Sequence, residues 1–311
     1  MLADLMFVDL YLGSAYLGLK DEAGRFCDVP SDWVSAAQAL RARCETRYRQ
    51  HQEPEFSLID EGIVFRVTAL TDVSDDTVFV LRRSKAQLRA FATLGFSEPA
   101  KQVLLAKSTQ GLVVIAGKMG HGKTSTAASL MKERLSLYGG VGIAIEDPPE
   151  TTLEGRHGEG RCIQVRASRR HGGYREPIIL AMRSSADVML IGEIRDEGAA
   201  IEALKASING HLVITTVHAG DIIQAIERLY MLSQGVSDGL AMLADGLTLV
   251  AYQRLDHVPR QGGSGLDTRC VIRTLLVQGD NNLGTRNKIR QGNFSHLVQD
   301  IEQQRLQTVW R

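Results

Sequence analysis

The sequence predicts an α/β protein in two parts, a small α+β domain over residues 1–84 and a doubly wound α/β domain over 106–311, joined by a connector at 85–105. Three observations carry this. Up to Ser84 the chain reads as strands around one helix, without the strand–helix alternation of a parallel sheet. Beyond residue 106, short continuous apolar runs alternate with helical stretches, the rhythm of strands covered on both faces. A glycine-rich turn, Gly117-Lys118-Met119-Gly120-His121-Gly122-Lys123-Thr124, lies between one such run and a helix start.

In the first part, Val8-Asp9-Leu10-Tyr11-Leu12 alternates apolar and polar residues and reads as a strand, and Asp21-Glu22-Ala23-Gly24 has turn composition. Val34, Ala37, Leu40 and Cys44 recur at helical spacing after Pro30-Ser31-Asp32, which offers cap candidates. Phe56–Ile59, Ile63–Val67 and Thr77–Leu81 supply further strands. The connector from Lys85 to Leu105 reads as helical with interruptions at Gly95 and Pro99. In the second part the strands are Leu112–Ala116, Gly142–Ile145, Val188–Ile191 and Leu212–Thr216, and the helices Thr124–Leu135, Ala199–Ser207 and Ile222–Met231. Arg260–Gly265 is a polar loop, Val271–Val277 a strand, and Thr285–Gln304 helical.

Composition narrows the function. Lys+Arg and Asp+Glu each number 36, so formal net charge is zero, which argues against a generic nucleic-acid coat. With 44% apolar and 23% charged residues the make-up is that of a soluble globular protein. No apolar run approaches the roughly 18 residues of a membrane span. Met1-Leu2-Ala3-Asp4-Leu5 lacks the basic start of a secretory signal. Cys27, Cys44, Cys162 and Cys270 lie too far apart for a zinc module or a dense disulfide framework, so a reduced, cytoplasmic setting is expected.

The glycine-rich turn has the parts of a phosphate cradle. Its glycines let successive backbone N–H groups curl toward phosphate oxygens, and the helix start adds unpaired donors and a positive dipole end. Lys123 brings a mobile positive charge to the β/γ-phosphates and Thr124 a hydroxyl to Mg2+; Ser125, next in line, joins the nucleotide-binding positions. His121 reads as an accommodated loop side chain. Downstream, Glu146-Asp147-Pro148-Pro149-Glu150 and Gly192-Glu193 each follow a buried strand, at the sheet edge where ligands of open α/β sheets bind. A carboxylate there can hold Mg2+ or polarise attacking water. His218 ends another strand on that edge, where an imidazole can donate to a γ-phosphate, whereas His211 begins the strand at the opposite end and suits packing or capping.

These boxes, in this order, resemble the secretion ATPase superfamily, which powers type IV pili, type II secretion and type IV secretion. The matching stretches are Gly117–Thr124, Glu146–Glu150, Gly192-Glu193-Ile194-Arg195-Asp196, and Gly210 through His218. Asp9-Leu10-Tyr11-Leu12, Phe65-Arg66-Val67 and Val80-Leu81-Arg82 are similar to the family's N-domain strands, and Arg286–Gly292 to the signature helix of the PilT-type retraction motors. The chain departs from the pattern at Ala186, Ala219, Lys288 and Gln291, and has no tetracysteine module of the assembly type. The resemblance implies a RecA-like P-loop ATPase domain behind a PAS-like N-domain. It implies that Lys123 and Thr124 contact phosphate and Mg2+, that Glu150 and Glu193 position metal and water, and that His218 senses the γ-phosphate. Arg66 and Arg82 would approach the nucleotide from the N-domain.

The resemblance further implies a homo-hexameric ATP-driven motor, peripheral to the inner membrane and acting on a platform protein there, without direct nucleic-acid contact. Conjugation, effector-secretion and type II secretion ATPases share the same boxes. Two other classes fit the cradle alone, a small-molecule kinase and a nucleotide-gated scaffold with little turnover. The kinase would need an arginine-rich lid insertion that the sequence does not show between its strands.

Overall fold

A computed structural model describes residues 6–168, 172–259 and 266–309. Two expected features, the N-terminal pentapeptide Met1–Leu5 and the polar loop at 260–265, lie outside the described residues. The chain divides into two compact units, Met1–Ala86 with Asp147–Thr152, and Gln87–Glu146 with Leu153–Arg311. The expected domains were contiguous in sequence; here the end of the acidic box counts with the first unit.

The first unit is a six-stranded sheet in the order β3-β2-β1-β6-β5-β4. Its strands are β1 (Asp9–Leu12), β2 (Leu17–Lys20), β3 (Phe26–Asp28), β4 (Glu55–Asp60), β5 (Ile63–Thr71) and β6 (Thr77–Arg83), all paired antiparallel. Helix α1 (Val34–His51) covers one face, burying Ala37, Leu40 and Cys44 in a core with Leu10, Phe56, Phe65, Phe79 and Leu81. The period of two along each strand sends alternate residues to the other face. Asp9 pairs in register with Arg82, Arg82 with Arg66, and Arg66 with Ser57, so these polar residues form one row across four strands. The hairpin strands β2 and β3 were not expected: β3 is an edge strand with all three residues exposed, so it lacks an apolar alternation. The Asp21–Gly24 turn stands, with Gly24 at φ 82°. The expected cap at Pro30-Ser31-Asp32 is corrected. Ser31–Trp33 form a 3₁₀ turn leading into α1, and no side chain caps either helix.

The second unit is an eight-stranded sheet in the order β14-β13-β7-β12-β11-β8-β10-β9. The strands are β7 (Gly111–Gly117), β8 (Val141–Glu146), β9 (Gly155–His157), β10 (Gly160–Arg166), β11 (Val188–Ile191), β12 (Leu212–His218), β13 (Leu247–Pro259) and β14 (Leu266–Leu276). From β13 to β10 all neighbours run parallel, and β14 and β9 close the edges antiparallel. Every residue of β7 is buried. Its Leu112, Val114 and Ala116 enter one core with α4 (Arg175–Met182), α5 (Glu197–Ile208), α6 (Ile222–Leu232) and α7 (Gly239–Gly246). Its Val113 and Ile115 enter the other with α2 (Glu98–Leu105) and α3 (Lys123–Tyr138). That division of one strand between two cores is the doubly wound arrangement.

The helical connector is corrected. Residues 84–90 form no helix, only a 3₁₀ turn at Phe91–Thr93 follows, and α2 starts at Glu98. The N–H groups of Gln87 and Arg89 donate to Ser125 Oγ (3.0 Å) and Ser129 Oγ (2.8 Å), side chains one turn apart on α3. Those hydroxyls satisfy backbone donors that no helix uses. Pro99 sits in the first turn of α2, where its missing N–H costs nothing, so it starts the helix instead of interrupting it. The single C-terminal helix expected over Thr285–Gln304 is likewise two, α8 (Leu283–Arg290) and α9 (Leu297–Val309). Gly292, at φ 71°, ends α8 in a left-handed conformation.

Arg134 of α3 shows how the unit is tied together. It is 7% exposed, and its Nη1 donates to the carbonyls of Leu104 (2.6 Å) and Ala106 (2.9 Å), which the end of α2 leaves without helical partners. Burial lowers its pKa from the usual arginine value, yet the guanidinium stays charged and hydrogen-bonded. Arg134→Met keeps the packing stem and removes both donors. It is expected to cost about 2–4 kcal/mol of stability, read from urea denaturation.

Candidate functional site

The site grows from the carboxyl ends of β7, β12 and β11, three consecutive strands of the parallel sheet. The chain leaves β7 at Gly117 and enters α3 at Lys123, so the loop lies above the strand end and at the helix start. Gly120 (φ 77°) and Gly122 (φ 78°) take the left-handed conformation, which turns the loop sharply enough to aim its backbone. Gly122 occupies the N-cap of α3 without a side-chain cap, so the positive end of the helix dipole meets the loop.

Lys123 is 7% exposed. Its Nζ donates to the Lys118 carbonyl at 3.0 Å and lies 3.5 Å from His218 Nδ1. An ammonium has only donors, so Nδ1 accepts and the imidazole proton sits on Nε2. That Nε2 faces Glu193 Oε1 at 3.7 Å, and Glu193 Oε2 accepts from Arg195 Nε at 2.9 Å. Lysine, histidine, carboxylate and arginine therefore form one chain of polar contacts. The loop carrying Glu193 is pinned to β12: Thr216 Oγ1 donates to the Gly192 carbonyl (2.6 Å), and the Ile194 N–H to the Thr216 carbonyl (3.2 Å).

His218 titrates below the ordinary histidine range. Burial is the main cause, the Lys123 charge adds to it, Glu193 opposes it, and Arg228 and Arg195 lower it further. The imidazole is thus neutral at neutral pH. Its folded pKa lies below the unfolded value of about 6.5, so as pH falls through that value the unfolded chain takes up the proton first. Stability is therefore expected to fall on acidification from about pH 6.5 toward the folded pKa. Urea denaturation at pH 7.5 and 5.5 should show a smaller pH-dependent loss for His218→Gln than for the wild type.

The other expected site residues fall into several settings. Thr124 is half-buried in the first turn of α3, beside Lys123. Ser125 directs its Oγ to the Gln87 N–H. Met119 is 84% exposed, which leaves only its backbone to line the loop. His121 is held from β13, its carbonyl accepting from Gln253 Nε2 (2.7 Å) and its Nδ1 from the Leu255 N–H (3.2 Å). Glu146, 2% exposed, accepts from Gln164 Nε2 at 2.7 Å and braces the end of β8. His211, at the opposite end of β12 from His218, accepts from the Gly111 N–H through its carbonyl.

Glu150, Arg66 and Arg82 belong to the first unit. Arg66 Nη1 pairs with Glu150 Oε1 at 3.0 Å, and Ser84 Oγ donates to the Glu150 carbonyl at 2.7 Å. Ser57 Oγ donates to the Pro149 carbonyl, so residues of the polar row fasten the acidic segment. Arg82 is held in a bidentate pair by Asp9 (2.7 and 2.9 Å), whose residue is 4% exposed. That pairing raises the Arg82 pKa above the usual arginine value.

Sequence reasoning missed Asp9 as the partner of Arg82, Arg195 as the partner of Glu193, and Gln253 beneath the loop. Arg195 was within reach, two residues from Glu193 in the same box. Gln253 was not, because its role depends on β13 lying beside β7.

Among the described residues no cluster of three or more His, Cys, Asp or Glu side chains could cage a metal. Magnesium bound to a nucleotide needs no such cage, since phosphate oxygens and water fill most of its shell and one or two protein groups suffice. Thr124 and Glu193 fit that requirement. Among the described residues no helix is long and apolar enough to cross a membrane.

Comparison with known proteins identifies the family and the fold. The model of the family described as Type II/IV secretion system protein matches residues 38–275. The type IV pilus assembly ATPase PilB of Pseudomonas aeruginosa is 32% identical over 209 residues, covering 63% of this chain and 33% of that protein. The type IV pilus ATPase PilU of the same organism is 29% identical over 232 residues, covering 74% of this chain and 58% of that one. The chain thus spans between a third and three fifths of the length of these relatives. A crystal structure of the pilus retraction motor PilT with bound ADP superposes with a TM-score of 0.73 over 96% of this chain and 86% of its own, at 23% identity, which shows a shared fold. Since the family match takes in well over half of the chain, the protein belongs to the Type II/IV secretion system protein family.

Proposed function

We propose that this chain is an ATP-hydrolysing motor that drives a type IV pilus, with pilus retraction as its specific task. The observation that carries the reading is the contact chain from Lys123 through His218 to Glu193, set at the start of α3, the positive end of the helix dipole. Lys123 already holds its charge beneath the loop, and the donors of Gly122 to Ser125 face the same end of the helix. Bound magnesium would neutralise phosphate charge and order the triphosphate tail. Thr124 and Glu193 would hold that ion, and Glu193 would orient water for attack on the terminal phosphate. His218, neutral and with its proton on Nε2, can donate to a γ-phosphate and lose that partner after cleavage.

In this proposal Arg66 and Arg82 answer the nucleotide's negative charge during the cycle. Each must then exchange a carboxylate for phosphate, Glu150 for the one and Asp9 for the other. Such an exchange gives a stroke that depends on nucleotide state. The reading includes a ring of six copies, peripheral to the inner membrane, that acts on a platform protein there. Support comes from the family and from the pilus ATPases among its relatives. Steady-state phosphate release by the purified chain with magnesium-ATP tests the reading. Release that exceeds background and accompanies no phosphorylated acceptor separates it from a kinase, and release below detection would leave a scaffold in its place.

A further inference from the structure

We propose that Gln253 is a positioning residue for nucleotide binding, which sets the phosphate loop in its binding shape before the nucleotide arrives. The inference rests on the nucleotide reading of that loop. Gln253 lies on β13, 2% exposed, directly beneath the loop. Its amide is used at both ends: Oε1 accepts from Thr126 Oγ1 at 2.6 Å, and Nε2 donates to the His121 carbonyl at 2.7 Å. Thr126 is itself 1% exposed, one turn into α3. One side chain therefore ties the middle of the loop to the helix that follows it.

The surroundings reinforce that clamp. A Cβ on Gly117 would come within 2.4 Å of the Gln253 carbonyl, and one on Gly122 within 3.0 Å of its Nε2. The loop thus rests on the Gln253 main chain where it leaves β7 and on the Gln253 amide where it enters α3. Two residues on, the Leu255 N–H donates to His121 Nδ1 at 3.2 Å, a second bond from the same strand to the same loop residue. Glycines at 120 and 122 make the free loop conformationally permissive, so something must select the curled state. A polar side chain this deeply buried is stable only while both its ends are paired, which makes the curled loop the state in which Gln253 is satisfied. Nucleotide then meets a loop already ordered and spends less of its binding free energy on ordering it.

The test uses the whole chain and a fluorescent N-methylanthraniloyl-ADP with magnesium as the probe. Gln253→Met keeps the buried volume and removes both hydrogen bonds. It is expected to weaken probe binding roughly tenfold and to raise KM for ATP by a similar factor with kcat little changed, since the bound loop has the same shape once formed. A role in stability alone would instead lower kcat, through fewer folded molecules, at constant KM. Because the variant strands the Thr126 hydroxyl in the core, its melting temperature is expected to drop as well. Gln253→Met with Thr126→Val removes that stranded group, so the melting temperature should recover while probe affinity stays low. Wild-type affinity in Gln253→Met, or affinity that returns with the melting temperature in the double variant, would overturn the proposal. A wild-type chain that binds no probe would overturn the nucleotide reading itself, whereas probe binding lost in Lys123→Ala and retained in Gln253→Met would sink this inference alone.

Discussion

Lys123→Ala is expected to lower phosphate release from magnesium-ATP by roughly 10²–10³-fold, the loss typical when a charge-stabilising donor is removed from a reaction centre. The side chain is 7% exposed and its ammonium is held between the Lys118 carbonyl and His218 Nδ1, so the charge is already aimed and little shielded by water. Truncation removes it and leaves a hole under the loop. The same variant should move His218, because the Lys123 charge is one of the causes that lower its pKa. A proton NMR titration of the His218 ring should therefore show an upward shift in Lys123→Ala. Wild-type turnover in that variant would place the phosphate site elsewhere on the chain.

Glu193→Gln should separate binding from chemistry. The substitution keeps volume and one acceptor while removing the charge, so turnover should fall by roughly 10²–10⁴-fold, the range for loss of a positioned acid or base, and nucleotide affinity by much less. The carboxylate is 15% exposed and faces His218 at 3.7 Å and Arg195 at 2.9 Å. Its removal also takes away the one charge that raises the His218 pKa, so that residue should titrate still lower. Rapid-quench measurement with labelled ATP reads the chemical step directly. If Glu193→Gln and the wild type share the same low rate, the nucleotide serves assembly and not work.

The parallel strands were legible because burial on both faces leaves an uninterrupted apolar run, as in Leu112–Ala116 and Val188–Ile191. The turn from β7 into α3 was legible because its glycines act through local geometry. Strand β13 was not, since Gln253, Arg254 and Asp256 interrupt its apolar pattern, and its pairing with β7 joins segments over a hundred residues apart. Helix α7 opens and closes on glycine, which hid a helix stabilised by packing on α5 and α8. The connector misled because its apolar residues allow a helix, whereas Ser125 and Ser129 on α3 accept from the N–H groups of Gln87 and Arg89 in a non-helical segment. The contact of His218 with Glu193 was within reach because both lie at strand ends on one edge of the sheet. The engagement of Arg82 by Asp9 was not, because it follows from the register of β1 on β6.

Six residues that lie in the middle of the chain, Asp147–Thr152, group with the amino-terminal sheet. A gene fragment cut at residue 87 would therefore carry this hexapeptide away from Ser57, Arg66 and Ser84, which hold it. The fragment would express Glu150 as an orphaned acid, and the remaining amino-terminal piece would carry an Arg66 lacking its counterion. Dissection of this protein into halves thus needs a graft: the hexapeptide must travel with the sheet that grips it, and a short bridge must rejoin Glu146 to Leu153.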